Sequence, residues 1–368
     1  MRKPHVFSLL IISCLLSVGT LRAEEETFTP DYITDDILPQ LIEDVQTVHS
    51  SMSKPLDLAN QTKCDQAYSK LFNKDQITMS VYFGYADLGK GDKNTGDIAE
   101  RAWFEDQLTE PCVGNLVVCN LTPSETDDDV YYKKIKVNGR TVKIAMKLYN
   151  ASLTDNVKIN TESRATEQLA KSQAIQDSYM QSLQRDDIVI YFGHARYGSG
   201  PGFKPIKDFS NDWYKNYLRI PFLKEIRQTL KQTESPAKLI GMINCDAQAH
   251  YGHYLSKSAP TSALLMARQT ISSSDALRTL FMSVQGLLSL TCEPEMNELF
   301  KKTLTRIYYW HYEPKPTSVD DKTAFLFNFY DNEKVEGNFY WQWMFNDLAS
   351  VEKSVEVVDL TKANNKKK

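Results

Sequence analysis

The chain has 368 residues, of which 42% are hydrophobic and 11% aromatic, with a formal net charge of −4. An apolar fraction of that size supports a buried core and excludes a disordered chain. The slightly acidic balance lacks the basic face that a nucleic-acid binder needs, so no nucleic-acid partner is expected.

Arg2, Lys3 and His5 precede a mostly apolar run from Val6 to Val18, and Leu21-Arg22-Ala23 offers a cleavage point before Glu24. That order reads as an export signal over residues 1–23. The run is too short to span a bilayer, and no later stretch is long and apolar enough for a transmembrane helix. A second reading makes Ile11-Ile12-Ser13-Cys14 a lipoprotein box, with an acyl anchor on Cys14. The mature protein is therefore expected to be secreted or periplasmic, or held at the surface by lipid. Without the signal, its length suits one large or two modest domains.

Residues 24–74 form an N-terminal helical segment in this reading. Leu38, Leu41, Ile42 and Val45 recur at helical spacing, and Pro39 falls in the first turn, where its missing N–H costs nothing. An α/β domain is expected over 75–314. Residues 77–84 read as its first strand, followed by a glycine-rich loop over 85–96 and a helix over 98–108. Gly89, Gly91 and Gly96 match no phosphate-binding spacing, and Asp92 and Asp97 would repel a phosphate, so the loop reads as flexible. Residues 117–121 are a second candidate strand. Residues 129–147 alternate on either side of Asn138-Gly139, the strongest short signal for a β-hairpin.

A helix is predicted over 161–184, with Thr161 as its cap. It leads into the apolar run 188–192, which ends in Gly193-His194. A glycine-rich loop follows, then a helix over 213–233 broken or kinked at Pro221. The apolar run 239–243 ends in Asn244-Cys245. Residues 261–267 read as another strand, and 274–290 and 294–309 as helices. Strand and helix alternating in this way predict parallel βαβ units. The expected fold class is α/β, a three-layer sandwich with a mainly parallel central sheet and a β-hairpin insertion. Residues 315–362 are rich in aromatics, with strand-like alternation over 324–330. They read as a hairpin covering the sheet or its edge rather than an exposed stacking platform. Residues 363–368 are a solvated basic tail.

Without Cys14, five cysteines remain: Cys64, Cys112, Cys119, Cys245 and Cys292. In an oxidising compartment four can pair, and Cys245 is the expected odd one; all five reduced and buried is the other reading. Sequence gives no pairing. Runs such as 188–192 and 239–243, rich in Ile and apolar throughout, suit buried parallel strands. Ligands of open α/β sheets bind beyond the carboxyl ends of the strands. His194 and Cys245 are thus expected to stand over one cleft, the imidazole serving as general acid and base for a nucleophilic thiol. Backbone N–H groups of Ala195 and Cys245 are candidate oxyanion donors. The loop carrying Arg196, Gly198 and Gly200 has little bulk and suits close approach of a substrate.

An apolar strand ending in His with a small residue after it, then an apolar strand ending in Cys, resembles the caspase–legumain–gingipain group of cysteine peptidases. The resemblance spans roughly residues 75–290 in element order and about 20 residues in detail. It implies a caspase-like fold and peptide-bond hydrolysis, with Cys245 as nucleophile, His194 as general acid and base, and a protein or peptide as substrate. The chain departs from the group's pattern at Ala195, often glycine there, and at Asn244, often a smaller residue. Asp246, directly after the thiol, would oppose thiolate formation unless it points away. No cofactor is expected, and no metal: His250 and His253 lie near Cys245, but no second thiolate does. The alternatives are an inactive binding protein on the same scaffold, or a thiol-dependent hydrolase or transferase acting on another acyl substrate such as a cell-wall peptide.

Overall fold

Short runs that are apolar at every position form the centre of the sheet, because neither of their faces meets water. The computed structural model describes residues 29–51, 58–87, 94–195, 200–205, 222–245, 247–267, 273–311 and 339–342. In chain order the elements are α1 (Ile37–Ser51), α2 (Leu58–Leu71), β1 (Gln76–Phe83), α3 (Asp97–Thr109), β2 (Thr122–Pro123), β3 (Val130–Val137), β4 (Arg140–Asn150) and α4 (Ala165–Arg185). They continue with β5 (Ile188–Phe192), α5 (Leu223–Gln232), β6 (Leu239–Ile243), α6 (His253–Ser258), β7 (Ala263–Ala267), α7 (Ser273–Ser289), α8 (Glu293–His311) and β8 (Phe339–Gln342). Among the described residues they build an eight-stranded sheet ordered β2-β3-β4-β1-β5-β6-β7-β8. The run from β4 to β7 is parallel throughout, whereas β2, β3 and β8 pair antiparallel at the two edges. The protein is thus α/β with a mostly parallel central sheet, and β5, β6 and β7 are buried at every residue.

Helices cover both faces. Tyr82 and Phe83 are neighbours in β1, so their side chains leave the sheet on opposite sides. The Tyr82 hydroxyl lies 2.7 Å from Ser182 Oγ and 3.1 Å from Ser178 Oγ, both on α4. The Phe83 ring packs 6.2 Å from Phe104 of α3. Both aromatic side chains are fully buried, each contributing roughly 2–3 kcal/mol of hydrophobic stabilisation. On the α3 side, α1 turns Ile37, Leu41, Val45 and Val48 inward against α7 and α8. A disulfide from Cys64 of α2 to Cys292, at the start of α8, and a 2.6 Å hydrogen bond from the Tyr68 hydroxyl to the Thr291 carbonyl hold these outer helices down.

The Asn138-Gly139 hairpin is present: φ is 50° at Asn138 and 77° at Gly139, the left-handed pair that a two-residue turn between twisted strands requires. Residues 117–121, in contrast, are not a strand. The Cys112–Cys119 disulfide closes a tight loop there, and the N–H groups of Val117 and Val118 both donate to Gln285 Oε1, at 2.7 and 3.1 Å. A side chain of α7 thus supplies the acceptor that a neighbouring strand would have provided. Thr161 does not cap α4 either. It lies in a wide turn over Ile159–Ser163 and its hydroxyl donates back to the Val157 carbonyl at 2.8 Å, while α4 begins at Ala165. Of the helix expected over 213–233, the stretch from Leu223 to Gln232 is described. The break at Pro221, the export signal with Cys14, the alternation at 324–330 and the basic tail lie outside the described residues. From the aromatic segment, β8 lines the edge of the sheet beside β7.

Candidate active site

The carboxyl ends of β1, β5 and β6 are level. Phe83 is in register with Phe192, and Phe192 with Ile243. The ladder runs one step further, with Gly84 N–H donating to the Phe192 carbonyl at 2.8 Å and Gly193 N–H to the Ile243 carbonyl at 3.2 Å. His194 and Cys245 therefore each stand two residues beyond one shared rung, on strands roughly 4.8 Å apart. The structure brings these two sequence-predicted residues to the same rim of the sheet.

His194 is partly buried, and its Nε2 lies 3.4 Å from the backbone carbonyl oxygen of Asp87. A carbonyl only accepts, so this contact, long for a hydrogen bond, needs the proton on Nε2 and leaves the Nδ1 lone pair available. Burial pushes the imidazole pKa below its ordinary 6.5, and the Asp87 carbonyl pulls part of the way back. The ring is thus neutral near pH 7, the form that can accept a proton. Asp87 belongs to the exit of β1, which is pinned by the Gly96 N–H donating to the Ala86 carbonyl at 2.8 Å and by an antiparallel bridge between Asp87 and Thr95. A main-chain carbonyl has no signature in sequence, so no pattern pointed to Asp87.

The backbone after His194 is held from below. The buried Tyr191 hydroxyl donates to the His194 carbonyl and accepts from the Gly202 N–H, both at 3.1 Å. Burial pushes that phenol well above its ordinary range, so it stays protonated as this role demands. Tyr251 donates to the Gly200 carbonyl at 2.9 Å, and the Gly200 N–H donates to the Ala195 carbonyl at 2.8 Å. Gly200 is packed so closely that an added Cβ would lie 1.5 Å from the His194 carbonyl oxygen. Its lack of a side chain is thus required by the protein's own backbone. Ala195, the expected oxyanion donor, is buried. Arg196, Gly198 and Asp246 lie outside the described residues.

Cys245 is partly exposed and belongs to neither disulfide, whereas Cys64–Cys292 and Cys112–Cys119 account for the other four described cysteines. Before it, Asn244 is fully buried, and neither of its amide atoms has a hydrogen-bond partner among the described residues. Groups left so are costly, about 1–3 kcal/mol each. Among the described residues no group of three or more His, Cys, Asp or Glu could hold a metal ion, and no helix is long and apolar enough to cross a membrane. No family model matches the chain, and no curated protein or solved structure does.

Proposed function

We propose that the protein is an exported cysteine endopeptidase of caspase-like fold, in which Cys245 and His194 hydrolyse peptide bonds. The observation that carries this reading is the shared rung: a partly exposed thiol outside both disulfides and a neutral imidazole, each two residues past the Phe192–Ile243 pair, at the rim where α/β sheets bind ligands. In the proposed reaction His194 Nδ1 takes the thiol proton as Cys245 Sγ attacks the scissile carbonyl carbon. The tetrahedral oxyanion is held by main-chain N–H groups, those of Ala195 and Cys245 being the candidates. The C–N bond then breaks, the imidazolium gives its proton to the leaving amine, and a thioester remains. Water, deprotonated by the same imidazole, cleaves that thioester to the carboxylic acid and restores the thiol. The Asp87 carbonyl acts on the far nitrogen, fixing the tautomer that makes Nδ1 the base. Export is supported by residues 1–23 and by the two disulfides, which suit an oxidising compartment.

The test is the rate at which iodoacetamide alkylates Cys245. The expected result is preferential labelling of Cys245 in the folded protein, slowed by His194→Ala, together with cleavage within a peptide library that Cys245→Ala abolishes. Alkylation no faster than that of the same thiol in unfolded protein would refute catalysis and leave a binding protein on this scaffold. Fast alkylation without peptide cleavage would point to another acyl substrate.

A further inference from the structure

Asp97 is fully buried at the first position of α3, and the proposed chemistry makes no use of its carboxylate. One oxygen, Oδ2, accepts the Ala151 N–H at 3.1 Å and the Ser152 N–H at 2.8 Å; the other accepts the Ser152 hydroxyl at 2.5 Å. Ala151 and Ser152 are the first residues beyond β4, the neighbour of β1 on the side away from His194. Residues 94–97 thus form a strap stitched to two strand exits. On one side, Thr95 N–H donates to the Asp155 carbonyl at 2.6 Å and Asn94 bridges to Asn156. On the other, Gly96 N–H donates to the Ala86 carbonyl, and Thr95 bridges to Asp87.

Asp87 is the residue whose carbonyl meets the His194 ring. The geometry points to Asp97 as the positioning residue for that imidazole: it anchors the strap that fixes the Asp87 carbonyl, and thereby the tautomer of His194. This assignment rests on the Cys245–His194 reading for its catalytic meaning. The structural link from Asp97 to the ring is independent of it.

Energetics favour a role beyond stability. An isolated buried carboxylate is costly, and a neutral side chain could accept some of the same bonds. Burial raises the Asp97 pKa to about 6, against the Ser152 hydroxyl and N–H, Lys171 and the Ala86 N–H, which favour the anion. At pH 7 to 8 the group is therefore ionised, and its bonds are of the stronger, charge-assisted kind. Such bonds stiffen the two strand exits they join.

The experiment compares wild-type full-length protein with Asp97→Asn, using histidine labelled with nitrogen-15. At pH 8 the ring nitrogen shifts report the tautomer of neutral His194, with His194→Ala assigning the signal. The expected wild-type ring carries its proton on Nε2. In folded Asp97→Asn that preference should be lost, and alkylation of Cys245 should slow on the order of tenfold. Unchanged tautomer and rate in a folded Asp97→Asn protein would overturn the assignment. Should that variant fail to fold, Ser152→Ala removes the hydroxyl bond to Asp97 and must show the same change in smaller measure; no change there overturns it equally. If wild-type Cys245 proves no more reactive than an unfolded thiol, the peptidase reading fails, and the tautomer comparison alone decides the role of Asp97.

Discussion

At Gly200 a methyl group has nowhere to go, because the His194 carbonyl oxygen already fills the space. The contact is backbone on backbone and offers no rotamer as an escape. Gly200→Ala is expected to destabilise the protein by about 3 kcal/mol or to displace the chain at His194. Urea unfolding measures the first, and a drop in Cys245 alkylation measures the second. A variant as stable and as reactive as wild type would show that the packing is looser than described. The same residues show what a sequence can reveal. The shared rim of His194 and Cys245 was legible because each follows an all-apolar run, and such runs fold as adjacent buried strands. Gly200 was read as leaving room for a substrate, whereas the neighbour that excludes a side chain there is the protein's own His194 carbonyl. Asp97 was misleading: beside Gly96 it suggested only a loop hostile to phosphate. Its burial depends on Ala151 and Ser152, whose approach is created by the pairing of β1 with β4.

Elements were legible where one local rule decides them, and illegible where a distant partner does. Asn138-Gly139 supplies its own left-handed turn, so the hairpin could be read directly. Residues 117–121 have the composition of a strand, yet Gln285, on a helix far along the chain, satisfies their amides. Gln285→Leu should strand the N–H groups of Val117 and Val118 and cost about 2–5 kcal/mol. Urea unfolding checks the magnitude, and faster amide exchange at residues 117 and 118 checks the cause. Thr161 failed as a cap because its hydroxyl is spent on Val157 inside the turn. The two disulfides join elements on very different scales, spanning 228 and 7 residues. Chain-entropy reasoning gives roughly 5 kcal/mol for closing the long loop and about 2.5 for the short one. Replacing Cys64 and Cys292 by serine should therefore lower the unfolding midpoint more than replacing Cys112 and Cys119. The reverse order in matched denaturation curves would indicate that α2 and α8 are held mainly by packing.

For the molecule as a whole, buried carboxylates set how stability responds to pH. Glu100 sits one turn after Asp97, nearly inaccessible, with Tyr32 donating to Oε1 at 2.6 Å and Oε2 without a partner among the described residues. Burial is the main reason its pKa rises from 4.5 to about 8; the Tyr32 bond opposes the rise and the Asp97 charge adds to it. A raised carboxyl pKa means that the folded state holds a proton which the unfolded state has released. The Glu100 contribution is thus fully present below about pH 4.5 and is lost as pH climbs through 8. Asp97 acts in the same direction between 3.8 and about 6. Asp187 opposes them: burial would raise its pKa, but Lys74 at 2.9 Å, the Thr78 N–H and Lys238 at 3.0 Å outweigh that and hold it below 3.8. Its contribution is kept above 3.8 and disappears only in stronger acid. Together these groups place the stability maximum on the mildly acidic side, with a loss on the order of 4 kcal/mol from Glu100 between pH 5 and pH 9. Urea midpoints at pH 5, 7 and 9 should fall in that order. Glu100→Gln keeps the shape of the protonated carboxyl but cannot ionise, so it should flatten the fall and leave the variant more stable than wild type at pH 9. Midpoints that rise toward pH 9, or a Gln variant with the wild-type slope, would mean that water reaches Glu100 and that this corner of the core is not dry.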